Sequence, residues 1–274
     1  MLVFPNAKLN LGLYVTERRA DGFHNLESVF LPLPWTDALE ILPAESGHAT
    51  SITLTGRPIP GTPATNLCVR AYELLQADFP QLPPAQIYLH KLVPIGAGLG
   101  GGSADAAFAL RAANDLFGLG ISVEMLESYA RRLGSDCAFF IRNKPVLALE
   151  RGDVFEEIEL SLAGIGCVVA YPNLHISTPE AFARIVPQQP AHKLREALAR
   201  PLDTWRDSVS NDFEASLAPA YPVLADIKQR LYAAGAAYAS LSGSGSAVYG
   251  LWPADTSTPS MVWPSDYTVW QGVL

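Results

Sequence analysis

The sequence predicts an α+β protein of two domains. Three observations lead there. The length, 274 residues, exceeds the common single-domain size of ~100–150 residues. Short strand-like segments are mixed with helical ones without a regular βαβαβ rhythm. Hydrophobic residues make up 49% against 17% charged, enough apolar side chain for a substantial core. The balance of 19 basic and 27 acidic residues, -8 net, gives no footprint for a nucleic-acid backbone or an anionic membrane surface, so neither is an expected partner.

The elements follow in order. "AKLNLGLYV", Ala7 to Val15, alternates with period two, placing Leu9, Leu11, Leu13 and Val15 on one face and Lys8, Asn10, Gly12 and Tyr14 on the other, as in a half-buried strand. The Asp21-Gly22 turn and "NLESVFLPL" make this a hairpin reaching about residue 33. Strand-like pieces at 38–42 and 51–55 precede a Pro/Gly/Thr loop. Asn66 is placed to cap a helix running to Phe79 through Leu67, Ala71, Leu74 and Leu75. A strand, Gln86 to Pro94, delivers the chain to a glycine cluster. Beyond it Ser103 is expected to cap a helix with the stripe Ala106, Ala109, Leu110, Ala113 and Phe117. A second helix, Ser122 to Leu133, stops at Gly134, where "SDCAFFI" takes a new direction. Residues 146–160 read as a hairpin turning at Arg151-Gly152-Asp153, and the domain boundary is placed there. After it come a buried strand at 167–172, helices at 179–185, 192–199 and 223–234, and a strand-rich stretch at 237–251 around "SGSGS".

Cys68, Cys137 and Cys167 are odd in number, widely spaced and in apolar neighbourhoods. They form neither a disulfide framework nor a zinc cluster and suit a reducing cytoplasm. The opening residues lack the basic region and apolar stretch of a secretory leader. The longest apolar-leaning run, Leu162 to Tyr171, is shorter than the ~20 residues that span a bilayer.

Five of the seven residues from Gly96 to Gly102 are glycine. Such backbone is costly to order unless it must take positive φ or approach something closely. Gly96-x-Gly98-x-x-Gly101 matches a dinucleotide fingerprint literally, but the required second strand with its acidic residue is replaced by amphipathic helix. No Gly-Lys-Ser/Thr closes the run, so it is not a Walker loop. Two readings stay open: the glycines only permit close packing of the following helix, or they form a phosphate cradle. In the second, first-turn amides, the helix dipole and positive-φ residues curl N–H groups around an anion.

"PIGAGLGGGSADAA" resembles the second motif of the GHMP kinases, the galacto-, homoserine, mevalonate and phosphomevalonate kinases. "PNAKLNLGLYV", "RADGFHNLESVF" and "LGSDCAFF" are similar to the branch of that family acting in isoprenoid-precursor biosynthesis. "YPNLHISTPEAF", "SNDFEA" and "SLSGSGSAVYG" follow in the same order. The resemblance implies a two-domain architecture, residues 1–155 and 156–274, with the active site in the interdomain cleft. It implies a kinase using ATP and Mg2+ to phosphorylate the 2-hydroxyl of a cytidine diphosphate derivative of methylerythritol, as a monomer or a homodimer. Another small alcohol, such as homoserine or mevalonate, and a non-catalytic nucleotide-binding protein are the alternatives.

By the same resemblance, Pro94, Gly96, Gly98, Leu99, Gly100, Gly101, Gly102 and Ser103 hold the nucleotide. Ser103 also offers a hydroxyl to the metal, which takes few protein ligands beside phosphate. Asp136 is the catalytic carboxylate that orients or deprotonates the hydroxyl; as a lone Ser-Asp it would equally cap the next segment. Lys8 shares a strand face with Asn10, ~6–7 Å along, and would favour an ionised carboxylate and the developing charge on the attacking oxygen. Its alternative is an ordinary exposed lysine. Phe23 and Phe182 would stack the cytosine while His24 reads its edge and Asn10 and Thr178 hold the rest; Phe182 also suits a core position. Two departures stand out: Phe23 where the family often has tyrosine, and Cys137-Ala138 where it often has an aliphatic residue and proline, which predicts a looser turn at Asp136.

Overall fold

The computed structural model describes residues 1–45 and 47–274. Strands β1 (Leu2–Val3), β2 (Asn6–Arg18), β3 (His24–Thr36), β4 (Ala38–Pro43) and β5 (Ser51–Gly56) come first. Then follow α1 (Leu67–Asp78), β6 (Ala85–Lys91), α2 (Gly101–Phe117), α3 (Val123–Leu133) and α4 (Phe139–Arg142). Strands β7 (Val146–Glu150), β8 (Val154–Glu157) and β9 (Gly166–Tyr171) lead to α5 (Thr178–Phe182), α6 (Leu194–Leu198), α7 (Trp205–Ser208), α8 (Asp212–Leu217) and α9 (Pro222–Ala233). The last strands are β10 (Tyr238–Leu241), β11 (Val248–Trp252) and β12 (Thr268–Val273). The mixture is the α+β class expected.

Contacts group the chain into two compact units that interleave in sequence: Met1–Ala7, Trp35–Ile95 and Gly100–Lys144, and Lys8–Pro34, Gly96–Leu99 and Pro145–Leu274. A cut at residue 155 divides the sequence, whereas these units exchange segments, because the β2–β3 hairpin leaves the first unit after Ala7 and returns at Trp35.

The first unit holds a sheet of order β1-β4-β6-β5, in which β6 runs antiparallel to β4 and parallel to β5. Alternation buries Leu39 and Ile41 of β4 with Ile87 and Leu89 of β6. Helix α2 packs on β4 and against α1, α3 and α4. Its buried face includes Ala106, Ala109, Leu110 and Ala113 of the expected stripe, while Phe117 at its end is half-buried; the small side chains let helices approach closely. Asn66 caps α1 by accepting from the Cys68 amide at 2.9 Å, and Ser122 caps α3 by accepting from Met125 at 3.3 Å. Each such cap is worth about 1 kcal/mol. Ser103 does not cap α2: the cap is Gly100 at φ 68°, and Ser103 is the third residue of the helix, within its first turn. A left-handed residue is needed to turn the chain into α2, and glycine takes that conformation without steric penalty.

The second unit holds sheets β10-β11-β9-β12 and β2-β3-β7-β8. The hairpin turn forms at Asp21-Gly22, where Gly22 has φ 86° and Asp21 Oδ1 accepts from the Phe23 amide. Strand β2 is not half-buried as its alternation suggests, but buried on both faces from Asn6 to Val15. The second face is covered too: a Cβ on Gly12 would meet Leu194 Cδ1 at 2.6 Å and Val209 Cγ1 at 3.0 Å. Tyr14 passes a hydrogen bond to the Ser208 carbonyl. Val15, Val168, Ala170, Phe213, Leu231, Leu241 and Trp252 belong to the core. "SNDFEA" supplies α8, capped by Asn211, whose Nδ2 also donates to the carbonyls of Leu241 (2.9 Å) and Gly243 (2.8 Å). Strand β12 pairs antiparallel with β9. No helix of the described residues is long and apolar enough to cross a membrane.

Candidate active site

The glycine segment is shaped by an alternation within it. Ala97 and Leu99 are buried, while Gly96, Gly98 and Gly100 adopt φ of 66°, 78° and 68°. Two apolar side chains root the loop and the glycines between them reverse the backbone. Alternating signs of φ turn successive N–H groups toward a common centre, the geometry of an anion nest. Close packing accounts for part of the pattern as well. A Cβ at Gly98 would lie 1.9 Å from the Ser242 carbonyl oxygen, and one at Gly96 would lie 2.6 Å from His175 Nδ1. At Gly102 the nearest atom is Leu67 Cδ1 at 4.0 Å, so no neighbour demands glycine there. Pro94, two residues before Gly96, is buried.

Lys8 and Asn10 meet as the period-two reading expects, and both are buried. The Lys8 ammonium donates to Asn10 Oδ1 and stands 4.5 Å from the centroid of the Phe30 ring. This removes the ordinary exposed-lysine alternative. Asn10 Nδ2 donates to Ser28 Oγ at 2.8 Å, and Ser28 Oγ donates to the Gly12 carbonyl at 2.6 Å. The backbone of the same strand grips the loop, with the Lys8 amide donating to the Leu99 carbonyl at 2.9 Å. Ser242 completes the connection. Its hydroxyl donates to the Gly98 carbonyl at 2.9 Å and accepts from the Asn10 amide at 3.2 Å. The "SGSGS" turn therefore packs on the glycine loop, as a hydrogen-bonded partner of Gly98.

In the first unit, α2 begins over a group of buried charges that sequence reading did not single out. Lys91 at the end of β6 donates to Asp105 Oδ2 at 2.7 Å and to Asp37 Oδ2. Asp37 Oδ1 accepts from the amides of Leu92 (2.6 Å) and Val93 (2.8 Å). Asp105 Oδ1 is buried without a hydrogen-bond partner. Burial pushes the Asp105 carboxyl up to about 7, against the pull of the Lys91 ammonium and with Asp37 adding to the rise.

Asp136 is half-buried in the turn between α3 and α4, where the Cys137 amide donates to the Gly134 carbonyl at 3.2 Å. Helix α4 starts from Ala138 with no side-chain cap, so Asp136 does not serve as its cap. The turn is firmly held rather than loose. Cys137 and Ala138 are buried, and the Cys137 thiol is pushed up to about 11 by burial while a hydrogen bond with Ser103 draws it part of the way back. Cys137 thus links the Asp136 turn to the first turn of α2. Its identity as a small hydrophobe with one weak polar contact suits both duties.

His24, not Phe23, stacks on Phe182, with ring centroids 4.7 Å apart and planes 17° from parallel. Phe182 also meets Phe213 edge-on at 4.8 Å and packs on the core, so its two candidate roles are both present in one side chain. Phe23 is exposed, with the Arg151 guanidinium 5.5 Å from its ring centroid. Phe23 lies in the hairpin turn, whereas His24 is the first residue of β3. Burial, and to a lesser degree Arg18, lower the His24 pKa, favouring a neutral ring in the stack. Thr178 is the exposed first residue of α5, capped by the neighbouring Ser177. Among the described residues no cluster of three or more His, Cys, Asp or Glu is arranged to hold a metal ion.

Comparison with known proteins places this geometry. Residues 66–144 match the model of the GHMP kinases N-terminal domain and residues 192–257 that of the GHMP kinases C-terminal region. A Bacteroides fragilis protein named 4-diphosphocytidyl-2-C-methyl-D-erythritol kinase is 50% identical over 262 residues, 95% of each chain. A Bacteroides thetaiotaomicron protein of the same name is 48% identical over the full length of both. A crystal structure of 4-(cytidine 5'-diphospho)-2C-methyl-D-erythritol kinase superposes with TM-score 0.76 at 32% identity, covering 92% of this chain and 90% of that one. Homoserine kinase from Cytophaga hutchinsonii shares the fold, with TM-score 0.65 at 19% identity over 91% of this chain and 85% of the other. With both domain models matched in order and half of all positions identical to a relative across nearly its whole length, the chain belongs to the GHMP kinases and is a small-molecule kinase.

Proposed function

We propose that the chain transfers the γ-phosphate of ATP to the 2-hydroxyl of 4-diphosphocytidyl-2-C-methyl-D-erythritol. The observation that carries this reading is the 50% identity, over 95% of both chains, with a relative bearing that substrate in its name. GHMP kinases use ATP as phosphate donor, and the alternating φ of Gly96, Gly98 and Gly100 suits the anion. In this reading the amides from Gly96 to Ser103 hold the triphosphate, assisted by the positive end of the α2 dipole, about half an elementary charge. Mg2+ supplies charge neutralisation at the phosphates when bound, and the Ser103 hydroxyl is the protein oxygen assigned to it. All of these residues, with Lys8 and Asp136, precede residue 155, while Thr178 and Phe182 follow it.

Asp136 is assigned to accept the proton of the attacking hydroxyl, and Lys8 to stabilise negative charge as it develops on that oxygen. Asn10 holds Lys8 by accepting from its ammonium, which leaves fewer orientations to the charged group. Cytosine is assigned to the Phe182 ring. Inserting a base between two rings requires them to stand ~7 Å apart, twice a contact distance. The 4.7 Å His24–Phe182 stack must therefore open, His24 moving from the ring face to the polar edge of the base. Phe23 is assigned to the other face of the cytosine, and Asn10 and Thr178 to the rest of the substrate.

The test is mass-spectrometric detection of phosphate on the cytidylated methylerythritol after incubation with magnesium and ATP, with homoserine and mevalonate as controls. Phosphorylation of mevalonate at an equal rate would overturn the substrate assignment. Asp136→Asn is expected to lower kcat by ~10²–10⁴ with ATP affinity unchanged; retained turnover would remove Asp136 from its role. Phe182→Ala is expected to raise the KM of the cytidylated substrate by roughly tenfold, the equivalent of ~1–3 kcal/mol of stacking, and to leave the KM for ATP unaltered.

A further inference from the structure

The buried charges around Lys91 are not used by the assigned site residues, and they occupy a particular position in the chain. Asp37 holds three consecutive residues at the exit of β6: the Lys91 ammonium through Oδ2 and the amides of Leu92 and Val93 through Oδ1. The same ammonium reaches forward to Asp105, in the second turn of α2. Lys91 therefore joins the two ends of the segment from Leu92 to Ala104, the stretch that contains the five clustered glycines. Side-chain exposure of Lys91, Asp37 and Asp105 is 1%, 0% and 4%.

Such a group is an expensive way to fill space, because an ammonium and two carboxyl groups lose their hydration, and apolar side chains of similar volume would pack as well. Directional bonds are what the charges add. The seat is close as well as directional: a Cβ on Gly101 would lie 2.9 Å from Lys91 Nζ and 3.0 Å from Val93 Cγ1, so the first residue of α2 rests on the ammonium. A segment with this much glycine loses more backbone freedom on ordering than any other composition. Fixing both of its ends reduces the conformations available to it before any ligand arrives, which is the physical meaning of preorganisation.

We propose that Asp37, Lys91 and Asp105 form an ionic staple across the base of the glycine segment, and act as positioning residues that hold the first-turn amides of α2 ready for the triphosphate. The staple's contribution to nucleotide binding rests on the assignment of that segment to ATP.

The test compares the full-length wild type with Asp105→Leu, which removes one of the two acceptors of Lys91, and Asp105→Asn, which keeps an oxygen there. Two quantities are read: KM for ATP beside kcat and the KM of the alcohol substrate, and hydrogen exchange of the 92–104 amides without nucleotide. Asp105→Leu is expected to raise the KM for ATP roughly tenfold or more, the scale of a lost hydrogen bond to a charged group. The KM of the alcohol should stay within about twofold, exchange across 92–104 should accelerate, and Asp105→Asn should recover most of both changes. A folded Asp105→Leu protein with wild-type KM for ATP, or with wild-type exchange, overturns the staple. If Asp105→Leu does not fold, Lys91→Arg carries the test through smaller changes in the same direction, and their absence from either quantity overturns it. Failure of the wild type to bind ATP would instead strike the nucleotide assignment, and the exchange measurement would still decide whether the segment is stapled.

Discussion

The glycine segment is anchored in two contrasting ways. Residues Gly96–Leu99 are held by neutral groups: the Ser242 hydroxyl on the Gly98 carbonyl, the Lys8 amide on the Leu99 carbonyl, and the Ala247 amide on the Ala97 carbonyl. The start of α2 is held by ions, with Lys91 between Asp37 and Asp105. Neutral backbone bonds fix the loop by close approach, so they demand residues without side chains. The ionic anchorage fixes direction at a distance of several residues, so it tolerates ordinary side chains along the way but depends on charge. Glycine is therefore compulsory in the first half for steric reasons, and in the second half only at Gly100 and Gly101.

This contrast can be broken from either side. The largest effect is expected from Gly98→Ala, which forces a side chain into the Ser242 carbonyl at a φ of 78°. Overpacking and left-handed strain together should cost about 3 kcal/mol or more, seen as a fall in thermal midpoint; a midpoint at the wild-type value would show that the Ser242 turn yields. A smaller, pH-dependent effect belongs to the ionic half. The Asp105 carboxyl, pushed up to about 7 by burial, lies above its unfolded value of ~4. Its contribution to stability is complete below the unfolded value and is lost as pH rises to about 7. Asp105→Asn removes that dependence, so its stability relative to wild type should climb across this window and level off above it, as followed by denaturant titration. A constant difference would refute the raised carboxyl. Smallest is Gly102→Ala, where no neighbour stands within contact and φ is not left-handed. Its stability should change by no more than ~0.5 kcal/mol, the scale of surface substitutions, even though the new methyl is free to disturb the anion.

What the sequence revealed follows the same division between local and distant causes. The hairpin at Asp21-Gly22, the cap at Asn66 and the glycine loop depend on residues within a few positions, and each was legible. The cap at Gly100 was misassigned to Ser103 because a hydroxyl before an alanine run is a strong local signal, whereas the left-handed turn that replaces it leaves no side-chain mark. Alternation in β2 identified one apolar face correctly, but it carries no mark of the burial of the other face, where Lys8 and Asn10 pack against Phe30, Ser28 and Ser242. The staple was invisible for a related reason. Asp37 and Asp105 lie 54 and 14 positions from Lys91, and each charge alone resembles a hydrated surface residue. Phe23 and His24 are neighbours at the hairpin turn, and which of the two rings meets Phe182 depends on where that turn ends, which no residue in the sequence marks.

Strand β12 carries a consequence for how the molecule is made. Its partner β9 is buried at every position and contains Cys167, Val168, Val169 and Ala170 without a charge, a composition that invites pairing with other chains when its edge is bare. One side of β9 is covered by β11 and the other by β12, and both are translated long after it. During synthesis, when domains tend to fold in the order they emerge, this apolar ribbon must wait uncovered on the ribosome, and the nascent chain is most exposed to aggregation over just that interval.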